Sequence, residues 1–349
     1  MFIVANKNIE VLSLKNQSLL YNLINISKLD KKWNKNNFLE IEIKKSFIRG
    51  ELRYSKEGFD IANKINQIIK KEKILNGYNF FTNIYPMIHL SNDLSEKSNL
   101  HFDQHDNNDL FTCWLTITSN YYNPISILKF NNKKFKNILS RIPFPNIFLK
   151  HINPEIGNLN LWDGHNLHKG NLNISENISC AYQMKFSKKK YIFDFSNEIE
   201  LNPNLNITLN SNDYLKNFQQ FNDLVLSLDK IKYIDTDYEK VFDSTIEILS
   251  KKFRKKNEKI SFSLSILAQR LMVQGKKFNI HDYEKKVLLL DICSILLGSE
   301  NLISLDRLCK KLMYNNLRKL EILYKSDFLN CIPKTSYEWI EILKNNNYE

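Results

Sequence analysis

Between about Tyr78 and Phe195 the sequence is cut into short segments rich in β-branched and aromatic residues: NFFTNIYPMIHL, LFTCWLTITSN, ISILKF, NIFLKHI, NLNLW and SCAYQMKF. Asn, Pro, Gly, Asp and Ser separate them, and these residues favour turns through their backbone freedom or local hydrogen bonding. A parallel pair of strands needs a crossover of roughly a dozen residues or more, usually a helix, and most of these segments have no helical pattern between them. The stretch therefore predicts a mainly antiparallel β unit of sandwich or jelly-roll type. Along LFTCWLTIT the side chains alternate, so Trp114, Thr116 and Thr118 share one face and Cys113, Leu115 and Ile117 the other.

The flanks read differently. Phe59, Ile61, Ala62, Ile65, Ile68 and Ile69 recur mostly at spacings of three and four between Lys56 and Ile74, which predicts a helix whose apolar stripe covers the sheet. After about Leu205, segments near 212–230, 237–256, 262–275, 281–298, 303–325 and 335–345 carry helical spacing, as in Leu305, Leu308, Leu312, Leu317 and Leu320. Asp306 after Ser304 suits a helix start and Gly298 a stop. The expected class is α+β, with a β domain and N-terminal helical elements over residues 1–205 and an α-helical domain over 206–349. No constant internal repeat is evident.

Composition narrows the possibilities further. A chain of 349 residues that is 43% hydrophobic can bury a core, which argues against disorder, and 8 Gly and 7 Pro are too few for a collagen-like or linker-rich chain. The longest apolar run, Val287 to Leu297, is interrupted by Asp291 and falls short of the roughly 18 residues a membrane span needs. The opening MFIVANKNIEVLSLKNQ lacks the basic start and apolar core of a signal peptide, so the expectation is a cytoplasmic protein without a membrane partner. Five cysteines, Cys113, Cys180, Cys293, Cys309 and Cys331, contain no C-x-x-C pair and read as reduced core residues. The formal net charge of +12 is compatible with nucleic acid, anionic lipid, an acidic carrier or an anionic small substrate. Lys greatly outnumbers Arg and Asn is about one residue in seven, as an AT-rich coding sequence would produce, so nucleic acid is the less favoured partner. The basic run KKFRKKNEK at 251–259 reads as a solvated helix end.

The chemistry concentrates in SNLHFDQHDNNDLFTCW and PEIGNLNLWDGHNLHKGNLNIS. His101 and Asp103 form an H-x-D pair whose spacing puts both side chains on one face of an extended segment, and His168 follows in the turn after a later strand. Two imidazoles and a carboxylate can occupy one face of an iron(II) ion, leaving positions for a cosubstrate and dioxygen. His165 competes with His168 because both occupy one turn, and His105 and Asp106 read as loop residues. Trp114 and Trp162 read as core aromatics, and Arg49 and Arg53 as surface residues, with a clamp for an anionic substrate as the alternative reading.

GNLNLWDGHNLHKGNLNIS, from Gly157 to Ser175, resembles the distal-histidine segment of the phytanoyl-CoA hydroxylase-like branch of the iron(II)/2-oxoglutarate-dependent dioxygenases. The matching positions are Gly157, Trp162, Asp163, His168, Gly170, Asn173 and Ser175, preceded in the expected order by H-x-D and the strand carrying Trp114. The resemblance spans about residues 40 to 195 and implies a double-stranded β-helix, a cupin-like jelly roll with covering N-terminal helices. It implies that His101, Asp103 and His168 ligate Fe(II), that 2-oxoglutarate and O2 are cosubstrates, and that an unactivated C–H is hydroxylated or otherwise oxidised. A carboxylate at Asp103 favours hydroxylation over halogenation. The implied substrate is a small molecule or a carrier-bound or peptide group, and an anionic one suits the net charge. The family carries an arginine about ten residues after the distal histidine, where this chain has Ile178 and Ser179. Lys185 is the expected replacement, with Lys150 and Arg141 as fallbacks, and Thr116 and Thr118 are candidate hydrogen-bond donors to the cosubstrate.

Two alternatives remain beside this expectation. One keeps the metal-binding β-fold without 2-oxoglutarate. The other is a non-enzymatic basic scaffold that binds nucleic acid or protein. The helical tail is expected to close over the β unit, dock a partner or form a homodimer.

Overall fold

The computed structural model describes residues 2–102, 110–118, 124–128, 148–152, 154–188, 211–231 and 257–298, with isolated positions at 241, 244, 245, 247, 248, 251, 304 and 307. Asp103, His105, Asp106, Arg141, Cys309, Cys331 and the expected helices beyond 307 lie outside them. The chain is a mixed α+β protein with antiparallel sheets, and no closed barrel occurs among the described residues. It divides into two compact units. One comprises Met1–Ile41, Glu51–Tyr191 and Phe195–Leu209; the other comprises Glu42–Gly50, Ile192–Asp194 and Asn210–Glu349.

The first unit opens with β1 (Phe2–Ala5), α1 (Lys7–Ile26), α2 (Phe38–Arg53, whose middle belongs to the second unit) and α3 (Lys56–Lys71). Only α3 was legible by periodicity, and its Ile61, Ala62, Ile65, Ile68 and Ile69 are buried as that spacing predicts. Ser55 caps it by accepting a hydrogen bond from the Gly58 N–H at 3.0 Å. The strands are β2 (Phe80–Phe81), β3 (Tyr85–His89), β4 (Leu110–Thr116), β5 (Ile125–Leu128), β6 (Leu149–His151), β7 (Asn158–Asp163), β8 (His168–Gly170) and β9 (Ser179–Ser187). Every pairing between named strands is antiparallel.

The larger sheet runs β1-β7-β4-β9-β2, with β3 also paired to β9, and the smaller runs β6-β5-β8. Trp114, Trp162 and Ala181 of the larger sheet pack in one cluster with Ile125 and Ile127 of the smaller, so the sheets meet face to face. That contact fixes which side chains point inward. Cross-strand partners share a face, so the inner surface of the larger sheet reads in rows: Trp162–Thr112–Lys185, then Asn160–Trp114–Gln183–Tyr85, then Thr116–Ala181–Met87, and last Ser179–His89. The opposite face carries Cys113, Leu115, Leu161, Tyr182, Met184 and Phe186, all buried. There α1 lies against the sheet, and the Tyr182 hydroxyl donates to Asn16 Oδ1. The inner face is thus polar and aromatic while the helix-covered face is apolar.

Arg53, expected at the surface, is buried. Its guanidinium donates to the Asn83 and Ile84 carbonyls at 3.2 and 2.8 Å, where desolvation lowers its pKa. The sequence pattern hides this because the acceptors are backbone groups about thirty residues away.

In the second unit the described helices are the middle of α2, α4 (Ser211–Leu228), α5 (Glu258–Gln274) and α6 (Tyr283–Leu297). Phe47 packs its ring against Tyr214, Phe218 and Phe221. Serines knit α5 to α6: Ser261 Oγ donates to the Ser294 carbonyl and Ser294 Oγ to the Ser261 carbonyl, each at 2.7 Å. Asp291, which interrupts the apolar run, is buried against Arg307 at 2.6 Å. Arg49, also expected at the surface, is buried here beside Glu42, which further accepts from Lys45 at 3.1 Å and Arg270 at 3.0 Å. Among the described residues no helix is long and apolar enough to cross a membrane. Lys251 of the basic run is exposed and pairs with Glu247 at 2.6 Å, as on a solvated helix face.

Candidate metal centre

The turn Asp163–Leu167 delivers His168 into the smaller sheet. Asp163 Oδ1 accepts from the His165 N–H at 2.8 Å, the Asp163 carbonyl accepts from Asn166 N–H at 2.8 Å, and Gly164 N–H donates to the Leu110 carbonyl at 2.7 Å. The structure then places His168 at the start of β8, where the sequence reading had it in a turn. Three residues are too few for an alternating pattern to reveal a strand.

His101 extends the smaller sheet by one isolated antiparallel bridge to His168. Each residue donates its N–H to the other's carbonyl at 2.8 Å, so the two are directly opposite and their side chains share a face. Ile127 and Lys150 fall in the same row, on the inner face of the smaller sheet. Phe102 points the other way and packs with Leu128, Leu149 and Leu167. The H-x-D spacing therefore has an apolar anchor at its middle position, and the preceding histidine is left on the inner face.

The imidazole centres of His101 and His168 are 4.4 Å apart with their planes inclined at 50°. Two imidazoles bound to one ion at about 2.1 Å and about a right angle would have centres about 4.5 Å apart, so the pair fits a shared metal. His101 Nδ1 meets the Asn99 carbonyl at 2.8 Å and His168 Nδ1 meets the Asn166 carbonyl at 3.0 Å. A carbonyl only accepts, so each Nδ1 carries the proton and each Nε2 is the basic nitrogen, the tautomer a ligating histidine requires. His168 is buried and His101 exposed, and the Trp162 ring is 5.5 Å from that of His168. His168, rather than His165, is brought opposite His101. Among the described residues no group of three His, Cys, Asp or Glu side chains converges, and Asp103 lies outside that set.

The other expected residues separate in space. Lys185 and Thr116 both belong to the inner face of the larger sheet. Thr118 uses its hydroxyl structurally, accepting from the Cys180 N–H at 2.7 Å to pin the start of β9. Lys150 shares the His168 row but is an exposed residue of β6. Lys185 lies six positions along β9 from Ser179, about 20 Å at about 3.4 Å per residue, so it does not occupy the location of Ser179.

On the inner face, Trp114 Nε1, Thr116 Oγ1 and Trp162 Nε1 are buried with no hydrogen-bond partner among the described residues. Buried donors of this kind are rare and cost about 1–3 kcal/mol each, so their gathering on one face, with the Trp162 ring 5.5 Å from that of His168, points to a ligand that supplies acceptors. The alternation of LFTCWLTIT showed which residues share the face; only the fold shows that it turns inward. His89, which the sequence reading did not single out, belongs to the same face with its ring centre 6.1 Å from that of Trp114, in an edge-on arrangement.

The residues of the resembling segment have local structural work. Gly157 adopts φ +78°, and a Cβ there would lie 2.8 Å from Glu10 Cα. Asn173 Nδ2 donates to the His89 carbonyl at 3.0 Å and the Asn177 carbonyl at 2.8 Å, while its Oδ1 accepts from Ser175 N–H and Oγ at 3.0 and 2.7 Å. These bonds hold the loop between β8 and β9 against β3. Searches with the sequence find no matching family model and no matching curated protein.

Proposed function

We propose that this chain is a non-haem iron(II)- and 2-oxoglutarate-dependent dioxygenase, with a double-stranded β-helix core, that oxidises an unactivated C–H of a small-molecule, carrier-bound or peptide substrate. The observation that carries the reading is the opposed His101–His168 pair, with both Nδ1 protons committed to backbone carbonyls and the rings at the separation of two ligands on one ion. Two facing antiparallel sheets with a polar, aromatic inner face agree with such a core.

In this reading His101, Asp103 and His168 hold iron(II), which with 2-oxoglutarate and dioxygen supplies the oxidant for C–H hydroxylation. The chain's own contributions are orientation and exclusion of water. The Asn99 and Asn166 carbonyls hold the two imidazoles in one tautomer, and Trp162 shields the buried side of His168. Thr116 and the indole N–H groups of Trp114 and Trp162 offer hydrogen bonds to oxygen atoms of a bound ligand.

Anaerobic addition of iron(II) and 2-oxoglutarate to the purified protein tests this. The expected result is a visible charge-transfer band that is lost in Asp103→Ala and His168→Ala. Absence of the band in the wild-type protein refutes the 2-oxoglutarate assignment. A second reading, metal chemistry without 2-oxoglutarate, is favoured by the uncharged pair Ile178 and Ser179; it predicts iron binding that Asp103→Ala and His168→Ala abolish, with no band.

A further inference from the structure

Resting on the oxygenase reading, we infer that His89, with Thr116 and Trp114, binds the far carboxylate of a dicarboxylic 2-oxo acid, and that Lys185 does not. Trp114 Nε1 and Thr116 Oγ1, on the two middle rows of the inner face, have no hydrogen-bond partner among the described residues, and both residues are buried to within 1% of full enclosure. Both lie on β4, in the two rows next to the row of His89 and Ser179. The His89 imidazole meets the Trp114 ring edge-on, with the ring centres 6.1 Å apart, and His89 is itself 2% exposed. Indole and hydroxyl both donate, and an imidazole adds a third N–H, so the complementary group is a compact acceptor with several oxygens: a carboxylate. The ring contact with Trp114 brings an ionisable inner-face side chain to this set. Lys185 stands in the row of Thr112 and Trp162, at the other end of β9. The loop clamp by Asn173 on the His89 carbonyl fixes the backbone from which the imidazole projects.

The test compares two ligands that share the 2-oxo acid end and differ at the other: 2-oxoglutarate, and pyruvate, which lacks the second carboxylate. Binding of each to zinc(II)-loaded protein is measured by calorimetry for wild type, His89→Leu, His89→Gln, Thr116→Val and Lys185→Met. The Trp114 indole N–H resonance is followed in parallel. Near-UV circular dichroism confirms that each variant is folded. The expected result is that His89→Leu weakens 2-oxoglutarate about tenfold or more while pyruvate changes little, since a hydrogen bond to a charged group is lost. His89→Gln should recover part of the loss, Thr116→Val should lose selectivity in the same sense, and Lys185→Met should match wild type. The Trp114 resonance should move with 2-oxoglutarate and not with pyruvate. Wild-type preference for 2-oxoglutarate that survives in His89→Leu, or that disappears in Lys185→Met instead, overturns this assignment and leaves the oxygenase reading standing. Wild-type protein that binds neither ligand overturns both.

Discussion

Gly170→Ala should loosen the candidate metal centre without touching a ligand. Gly170 lies in β8 two residues after His168, and a Cβ there would stand 2.8 Å from the Glu96 carbonyl oxygen and 3.3 Å from Ser98 Oγ. Ordinary contact begins near 3.4 Å, so the backbone at Glu96 must retreat by about half an ångström, and overpacking of this kind costs about 1–3 kcal/mol. The same segment leads to His101, whose two 2.8 Å backbone bonds to His168 set the imidazole separation. Gly170 N–H also donates to Ser98 Oγ at 2.7 Å, so the strain falls on the bonds that align the two chains. Disturbing the support of metal ligands typically weakens affinity about 10- to 100-fold. At a metal concentration about 100 times the wild-type Kd, the ion stabilises wild type by about 2.7 kcal/mol and the variant by only about 0.4–1.4 kcal/mol. Urea unfolding with and without manganese(II) reads both quantities. A variant with wild-type stability and the full metal-induced increment would refute the argument that the missing side chain sets this approach.

Two further predictions concern the interior of each unit. Glu42→Gln removes the carboxylate facing Lys45, Arg49 and Arg270; breaking a buried ion pair from one side costs about 3–5 kcal/mol, so the urea midpoint should fall sharply, and a loss below about 1 kcal/mol would show that the carboxylate is dispensable. Burial raises the thiol pKa of Cys113 and of Cys293 far above its ordinary value; both should resist iodoacetamide at pH 8 in the native protein and react in urea, and modification in the native state at an exposed-thiol rate would contradict their placement.

Local pattern carried much of the β unit. Six segments punctuated by turn residues correspond to β2 through β7 and β9, and the stripe from Phe59 to Ile69 belongs to α3. Alternation in LFTCWLTIT is a property of any extended chain, so the separation of Trp114 and Thr116 from Cys113 and Leu115 was legible before any fold was known. The helices α1 and α2 were not legible, because polar residues interrupt their apolar stripes: Asn16 of α1 is buried to meet Tyr182, and Glu42, Lys45 and Arg49 of α2 are buried around one another. A polar residue whose partner is remote or equally buried looks like a surface residue in a linear reading. For the same reason Arg49 and Arg53 were expected outside.

By itself the sequence determined which residues share a face along LFTCWLTIT, and that His101 belongs to an extended segment. Strand periodicity and turn chemistry act over a few residues, so they are written locally. Only the tertiary structure decided that β8 exists, that His101 lies opposite His168 at 4.4 Å, and that β3 carries His89 to the row beyond Thr116 while Lys185 falls at the far end of β9. Those relations depend on cross-strand register between segments tens of residues apart. Register is selected by packing of whole sheet faces, an energy that belongs to no single stretch of chain.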